Sequence, residues 1–149
     1  MQLANTTREA MREWALELGV DYRPDLRTRA YKSYDGHRLL RWALTQAGEQ
    51  VQLRLALSLF DLSFKEGGDI SDHAALLQRV EALGLDVASA REALAGDTFG
   101  DEVRFIEAEF REHAADMLPA VFIDKRLVSQ GSQSPQTFAT LLRVAAGLA

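Results

Sequence analysis

Between Val51 and Leu59 apolar side chains stand at every second position: Val51, Leu53, Leu55, Leu57 and Leu59. Strict alternation of this kind, taken alone, predicts a strand. Here it competes with length and composition. The apolar content runs on through Phe60, Leu62 and Phe64, too long for an ordinary strand. Leucine, alanine, glutamine and arginine favour helix, and β-branched residues are nearly absent. The segment therefore reads as a helix with Leu55, Leu59 and Leu62 on one face and Phe60 and Phe64 adjoining it. Apolar on most sides, it is expected to be the central, most buried helix.

Elsewhere period and punctuation agree. Thr6-x-x-Glu9 is a capping box that opens a first helix, with Met11, Trp14, Leu16 and Leu18 as its apolar face and Gly19 as its stop. Asp21 to Tyr31, with Pro24 and several arginines, reads as an extended connection. Asp35 or Ser33 caps a second helix that runs to Ala47, carries Leu39, Leu40, Ala43, Leu44 and Ala47 as a stripe, and ends at Gly48. Gly67-Gly68 breaks the chain. Ser71 caps a helix with Leu76, Leu77, Val80 and Leu83 inward, stopped by Gly84, and Asp86 caps a short helix to about Ala95. Thr98 starts another, with Val103, Ile106 and Phe110 as its stripe, which ends before Pro119 because the residue preceding a proline avoids the helical region. Ala120 to Ile123 and Leu127 to Ser129 read as two short strands around Asp124-Lys125-Arg126, a turn without the glycine that a two-residue hairpin prefers. Ser134 and Pro135 supply an N-cap and a first-turn proline for a last helix whose inward face is Phe138, Leu141, Leu142 and Ala145. The expected fold class is mostly α with one β-hairpin, α+β, without internal repeats.

A chain of 149 residues is long enough for one domain with a sizeable core. Its 26% charged and 47% hydrophobic residues are ordinary for a globular protein. A net charge of −5 argues against a nucleic-acid surface, and the locally basic Arg27 to Lys32 reads as a solvated linker. No run approaches the roughly 20 apolar residues of a membrane span. The N-terminus shows no charged region followed by an apolar one, so no secretory signal is visible and a cytoplasmic location is expected. There is no cysteine, which excludes a disulfide, a thiolate metal site and a thiol nucleophile in this polypeptide. His37, His73 and His113 make no i, i+4 ligand pair, so neither a metal nor a cofactor is expected. The carboxylates between Glu66 and Asp72 lack the ligand register of a calcium loop and read as a turn with a helix cap.

Three segments, in order, carry a resemblance. They are YDGHRLLRWA from Tyr34, LFDLSFKEGGDISDHAALLQRVEALGLD from Leu59, and FIEAEFREHAADMLPAVFIDKRLVSQGSQSPQTFATLL from Phe105. In this order and spacing they resemble the DsbA-like thioredoxin-fold family, specifically its FrnE-like branch, over about three-quarters of the chain. The resemblance implies a helical insertion domain, within residues 1–115, and the C-terminal ββα half of a thioredoxin-like fold over residues 116–149, together a single domain remnant. It also implies that the strand, Cys-x-x-Cys helix and second strand that open the family's fold are missing, as in a truncated member. Met117-Leu118 replaces the glycine-valine that precedes the family's cis-proline, and QGSQSP stands for its SGAQSP.

By that resemblance Pro119 is cis, and Leu118 and Pro119 bind substrate, with His37, Arg38, Ser132 and Gln133 as further candidates. The implied activity is disulfide oxidation or isomerisation. Such exchange needs a thiolate at a helix N-terminus and a resolving thiol, so this polypeptide is expected to be redox-inactive by itself. One alternative is a non-catalytic module that binds a peptide or protein partner. Another is a remnant of the related glutathione-transferase kappa or 2-hydroxychromene-2-carboxylate isomerase branch, disabled for the same reason. Without a neighbour, the edge of Ala120 to Ile123 invites pairing with another chain, and a homodimer through that edge is the expected assembly. No nucleic-acid or membrane partner is expected.

Overall fold

The computed structural model of the chain describes residues 2–113 and 119–148. The helices are α1 (Gln2–Glu17), α2 (Tyr34–Ala47), α3 (Glu49–Phe60), α4 (His73–Ala82), α5 (Val87–Ala95), α6 (Gly100–His113) and α7 (Pro135–Ala145). The strands are β1 (Ala120–Ile123) and β2 (Arg126–Gln130), which make one antiparallel two-stranded sheet. The mostly helical α+β class read from the pattern is therefore what the chain adopts. No helix among the described residues is long and apolar enough to cross a membrane. Two compact units divide the chain, Met1–Val103 and Arg104–Ala149.

The first unit holds the core. Gly48 is the single residue between α2 and α3; its φ of 80° is one that favours glycine, and it lets the two helices fold back along each other. Leu39, Trp42 and Ala43 of α2 meet Leu55 and Leu59 of α3. Leu76, Leu77 and Val80 of α4 and Ala90 and Leu94 of α5 complete the cluster. Trp42 is buried with its indole N–H donating to Ser89 Oγ at 3.2 Å, the partner a buried indole requires. Trp14, by contrast, is exposed on α1.

The alternating segment is a helix, but not buried on most sides. Leu55 and Leu59 are buried, whereas Leu53, Leu57 and Phe60 are exposed. Phe60 is also where the α-helix stops. A π-helical turn, Asp61–Lys65, follows, closed by the Glu66 N–H donating to the Asp61 carbonyl at 2.9 Å. The wider turn keeps Leu62 buried and leaves Phe64 exposed.

Several helix starts differ from expectation, and at α2 and α4 the reason is that nearby polar groups compete. Helix α1 begins at Gln2, so Thr6 lies inside it. Helix α2 has no side-chain cap. Ser33 sits in helical rather than extended geometry, and the Asp35 carboxylate is held by Arg38 and His73 instead. Asp72, not Ser71, caps α4 by accepting from the Ala74 N–H; the Ser71 hydroxyl turns to Asp69. Asp86 caps α5 as expected, accepting from the Ala88 and Ser89 N–H groups. Helix α6 starts at Gly100 rather than Thr98, and Val103 of its stripe is buried while Ile106 and Phe110 are exposed.

In the second unit Asp124 and Lys125 form the hairpin turn with φ of 49° and 62°, so two non-glycine residues take the left-handed conformation a tight hairpin needs. The register pairs Ile123 with Arg126, Phe122 with Leu127, Val121 with Ser129 and Ala120 with Gln130; the shift at Val121/Phe122 is a β-bulge that leaves Val128 unpaired. Ser134 caps α7, with Pro135 in its first turn. Phe138 and Leu141 are half-buried, whereas Leu142 and Ala145 of the expected inward face are exposed, and no residue of α7 is fully buried.

Candidate functional site

The family resemblance points to six residues, and they fall into different units. Leu118 lies outside the described residues, and with it the Leu118–Pro119 bond expected to be cis. Pro119, Ser132 and Gln133 belong to the second unit, at the open end of the hairpin. The Pro119 carbonyl accepts from the Gly131 N–H at 2.8 Å, which places Pro119 beside the residue that precedes Ser132. All three are exposed. The Gln133 amide donates to the Gln130 carbonyl at 2.9 Å, and Ser134 Oγ accepts from the Thr137 N–H at 3.1 Å, so the loop is a turn leading into a capped helix.

Next to this loop the sheet is open. Among the described residues β1 pairs with β2 alone, and all four β1 side chains are only half-buried. Ser129 is the buried side chain of the hairpin, and apolar Leu127, Leu142 and Val144 are exposed. Phe122 of β1 meets Phe110 of α6 edge to face, ring centres 5.6 Å apart. These two rings, with Glu109 and Lys125, line a shallow hollow of about 340 Å³. A second hollow, of about 300 Å³, has Ile123, Leu127, Val128 and Leu141 among its walls. Chemically this is a surface of backbone edge and apolar side chains, suited to holding an extended polypeptide.

His37 and Arg38, in the first turn of α2, belong to the first unit. His37 is exposed. Arg38 is 4% exposed, rare for a charged side chain, and most of its donors are taken within the protein. Its guanidinium donates to the Ala93 and Gly96 carbonyls at 2.5 and 2.6 Å, to the Thr98 carbonyl at 3.0 Å and to Asp35 Oδ1 at 2.6 Å. It also lies 5.6 Å from the Tyr34 ring centre. Ala93 and Gly96 stand at the C-terminal end of α5, where carbonyls lack helical partners and the helix dipole is negative. Arg38 thus caps α5 from α2, with four of its five N–H donors committed to the protein. Gly100 completes the arrangement, because a Cβ there would lie 2.2 Å from Asp97 Oδ1, which also accepts from the Tyr34 hydroxyl at 2.9 Å.

Asp35 links this network to α4, with His73 Nε2 3.1 Å from Oδ2. Burial pushes the Asp35 carboxyl up, but hydrogen bonds from His73 and Arg38 outweigh it, and the net shift is below the usual carboxylate value. A lowered folded-state pKa contributes stability at pH above the unfolded value of about 3.9, and that contribution is lost as pH falls through the lowered value. Acid unfolding followed by circular dichroism is expected to show this loss in the native chain, and Asp35→Asn is expected to flatten it. An unchanged acid limb in the variant contradicts the assignment.

The carboxylates between Glu66 and Asp72 are each committed within the protein. Glu66 pairs with Arg79, which holds its carboxyl below the usual range. Asp69 Oδ1 accepts from the Ser71 N–H and hydroxyl and Oδ2 from Arg29, and Asp72 caps α4. No group of three or more His, Asp or Glu side chains among the described residues is placed to hold a metal ion.

A family model described as DSBA-like thioredoxin domain matches residues 4–143. No curated protein matches the chain.

Proposed function

Because this chain belongs to the family of DSBA-like thioredoxin domains, we propose that it is a cysteine-free binding member, one that holds another polypeptide and does not itself exchange disulfides. The absence of thiols rests on the sequence and removes both the nucleophile and the resolving group. The observation that carries the binding half is the hairpin of the second unit. Strand β1 pairs on one side only among the described residues, and exposed apolar side chains surround it. Unpaired backbone donors and acceptors beside apolar side chains favour strand addition by another chain.

The partner we propose is a second copy. Two β1 strands meeting antiparallel about a two-fold axis make one continuous four-stranded sheet, and each copy then covers the other's edge. Three or more strands also give a sheet independent stability that an isolated hairpin lacks. On this reading Pro119, Ser132 and Gln133 flank the new strand pair, and a cytoplasmic, FrnE-like ancestry accounts for the loop.

Two measurements test it. Light scattering after size exclusion is expected to give a dimer mass at micromolar concentration, and Val121→Lys, which places a charge on the edge strand, is expected to give a monomer. A native monomer overturns the dimer. The pure chain is expected not to accelerate reduction of insulin by dithiothreitol, and measurable acceleration overturns the redox-silent reading.

A further inference from the structure

The segment from Asp21 to Tyr31, read from its composition as an extended connection, is mostly exposed but is anchored to the first unit at a few points. Pro24 is buried, and the Arg23 N–H donates to the Phe64 carbonyl at 2.8 Å. Leu26 lies so close to Gly67 that a Cβ on the glycine would sit 2.6 Å from the Leu26 Cβ, and the φ of +71° at Gly67 itself favours glycine. The segment is thereby fixed against the π-helical turn and the glycine that follows it. That turn sets Phe64 edge to face with Tyr22, ring centres 6.2 Å apart.

Arg27 lies beside Phe64 and a further ring, Tyr31. Its guanidinium carbon is 5.8 Å from the Phe64 ring centre and 5.9 Å from that of Tyr31. Arg29 lies 5.2 Å from the Tyr31 ring centre. Neighbouring arginines are neutralised: Arg23 pairs with Asp25 at 2.7 Å and Arg29 with Asp69 at 3.2 Å. Arg27 forms no salt bridge among the described residues, and its buried Nε has no hydrogen-bond partner. Aromatic rings therefore flank this guanidinium, and no carboxylate among the described residues pairs with it. Two hollows, of about 330 and 140 Å³, share Arg8, Pro24 and Arg27 as walls. The larger adds Arg12, one helical turn from Arg8 on α1, and the smaller adds Tyr22 and Arg29.

We infer that this face of the first unit binds an oxyanion, phosphate or carboxylate, carried by a small ligand with a flat aromatic body. A guanidinium held beside ring faces rather than by a carboxylate keeps donors for a bidentate oxyanion, and the planar fork matches that geometry where an ammonium does not. Tyr22, in the wall of the smaller hollow, offers the flat body a ring surface. With the whole chain at −5, general attraction of anions is opposed, so any attraction comes from the local arginines. Glu9 and Asp25 also line the larger hollow, and Asp25 is already held by Arg23. The larger volume sits at the lower end for ligand pockets and the smaller below it, which suits a small ligand.

Amide-resolved NMR titration of the full chain tests this with phenyl phosphate, benzoate and inorganic phosphate as probes. Expected is a saturable shift localised to residues 8–12, 22–31 and 64–67, with a Kd of about 1 mM or tighter for one phenyl compound. Whichever phenyl arm saturates names the oxyanion, and inorganic phosphate alone is expected to bind more weakly because it lacks the ring. Arg27→Gln is expected to weaken binding at least about tenfold, while Arg91→Gln on α5 leaves it unchanged. If Arg27→Gln does not fold, the double variant Arg8→Gln, Arg12→Gln takes its place with the same expectation. Absence of saturation with both phenyl compounds overturns the inference. So does saturation that the folded variant does not weaken, or that Arg91→Gln weakens equally.

Discussion

Arg38→Ala is expected to destabilise the protein by about 3–5 kcal/mol, read as a fall in the urea midpoint with the slope unchanged. The side chain is 4% exposed and donates to three backbone carbonyls and one carboxylate. Removing it strands the last carbonyls of α5 without a donor and leaves Asp35 with His73 alone. Leaving buried polar partners unpaired costs more than the pair's net contribution, which is why the expected loss is large. Arg38→Lys is expected to recover only part of it, since an ammonium cannot reach carbonyls at residues 93, 96 and 98 with one planar fork. A loss below about 1 kcal/mol, the scale of an exposed ion pair, refutes this account.

Leu55→Ala is expected to cost about 2–5 kcal/mol, and Leu53→Ala, two residues away, to stay within about 0.5 kcal/mol. Leu55 is 0% exposed inside the cluster of α2, α3, α4 and α5, whereas Leu53 is 53% exposed. The Leu55 variant leaves a cavity among Leu39, Leu76 and Val80, all at 1% exposure or less, and a close-packed core closes such a space only in part. The pair of variants also separates the two readings of the alternating segment. On a strand Leu53 and Leu55 share a face and respond alike; on a helix they lie about 200° apart and respond differently. Equal destabilisation by the two, measured by urea unfolding, contradicts the helix.

Local signals worked where the deciding interaction is local. Asp86 before α5 and Ser134-Pro135 before α7 are caps within three residues of the groups they bind. Gly48, placed between two periodic runs, marks a φ that other residues rarely adopt. Where two polar residues stand side by side, the sequence cannot rank them. Ser71 and Asp72 are both good caps, and the outcome turned on Asp69 capturing the Ser71 hydroxyl. The hairpin turn at Asp124-Lys125 carries no glycine, so its left-handed geometry left no mark in composition.

The candidate site follows the same division. Its second-unit half, Pro119 with Ser132 and Gln133, was legible as a loop because its residues stand in a recognisable order. Its first-unit half was not. Nothing near Tyr34 in the chain indicates that Arg38 answers carbonyls 55 to 60 positions later. Nor does RTRAYK reveal that Arg27 lies 5.8 Å from the Phe64 ring centre, because a charge run reads the same whether solvated or packed.

By itself the amino-acid sequence determined that the chain is mostly helical, that one hairpin precedes the last helix, and that no thiol chemistry resides in this polypeptide. Those outcomes depend on period, punctuation and residue type, all properties of neighbours in the chain. Tertiary structure alone decided which leucines of α3 face the core, that Arg38 caps α5, and that Arg27 stands beside the Phe64 and Tyr31 rings. Each of these is set by which distant surfaces meet. Burial and the pairing of charges exist only once helices have packed, because only then is water excluded and a partner supplied.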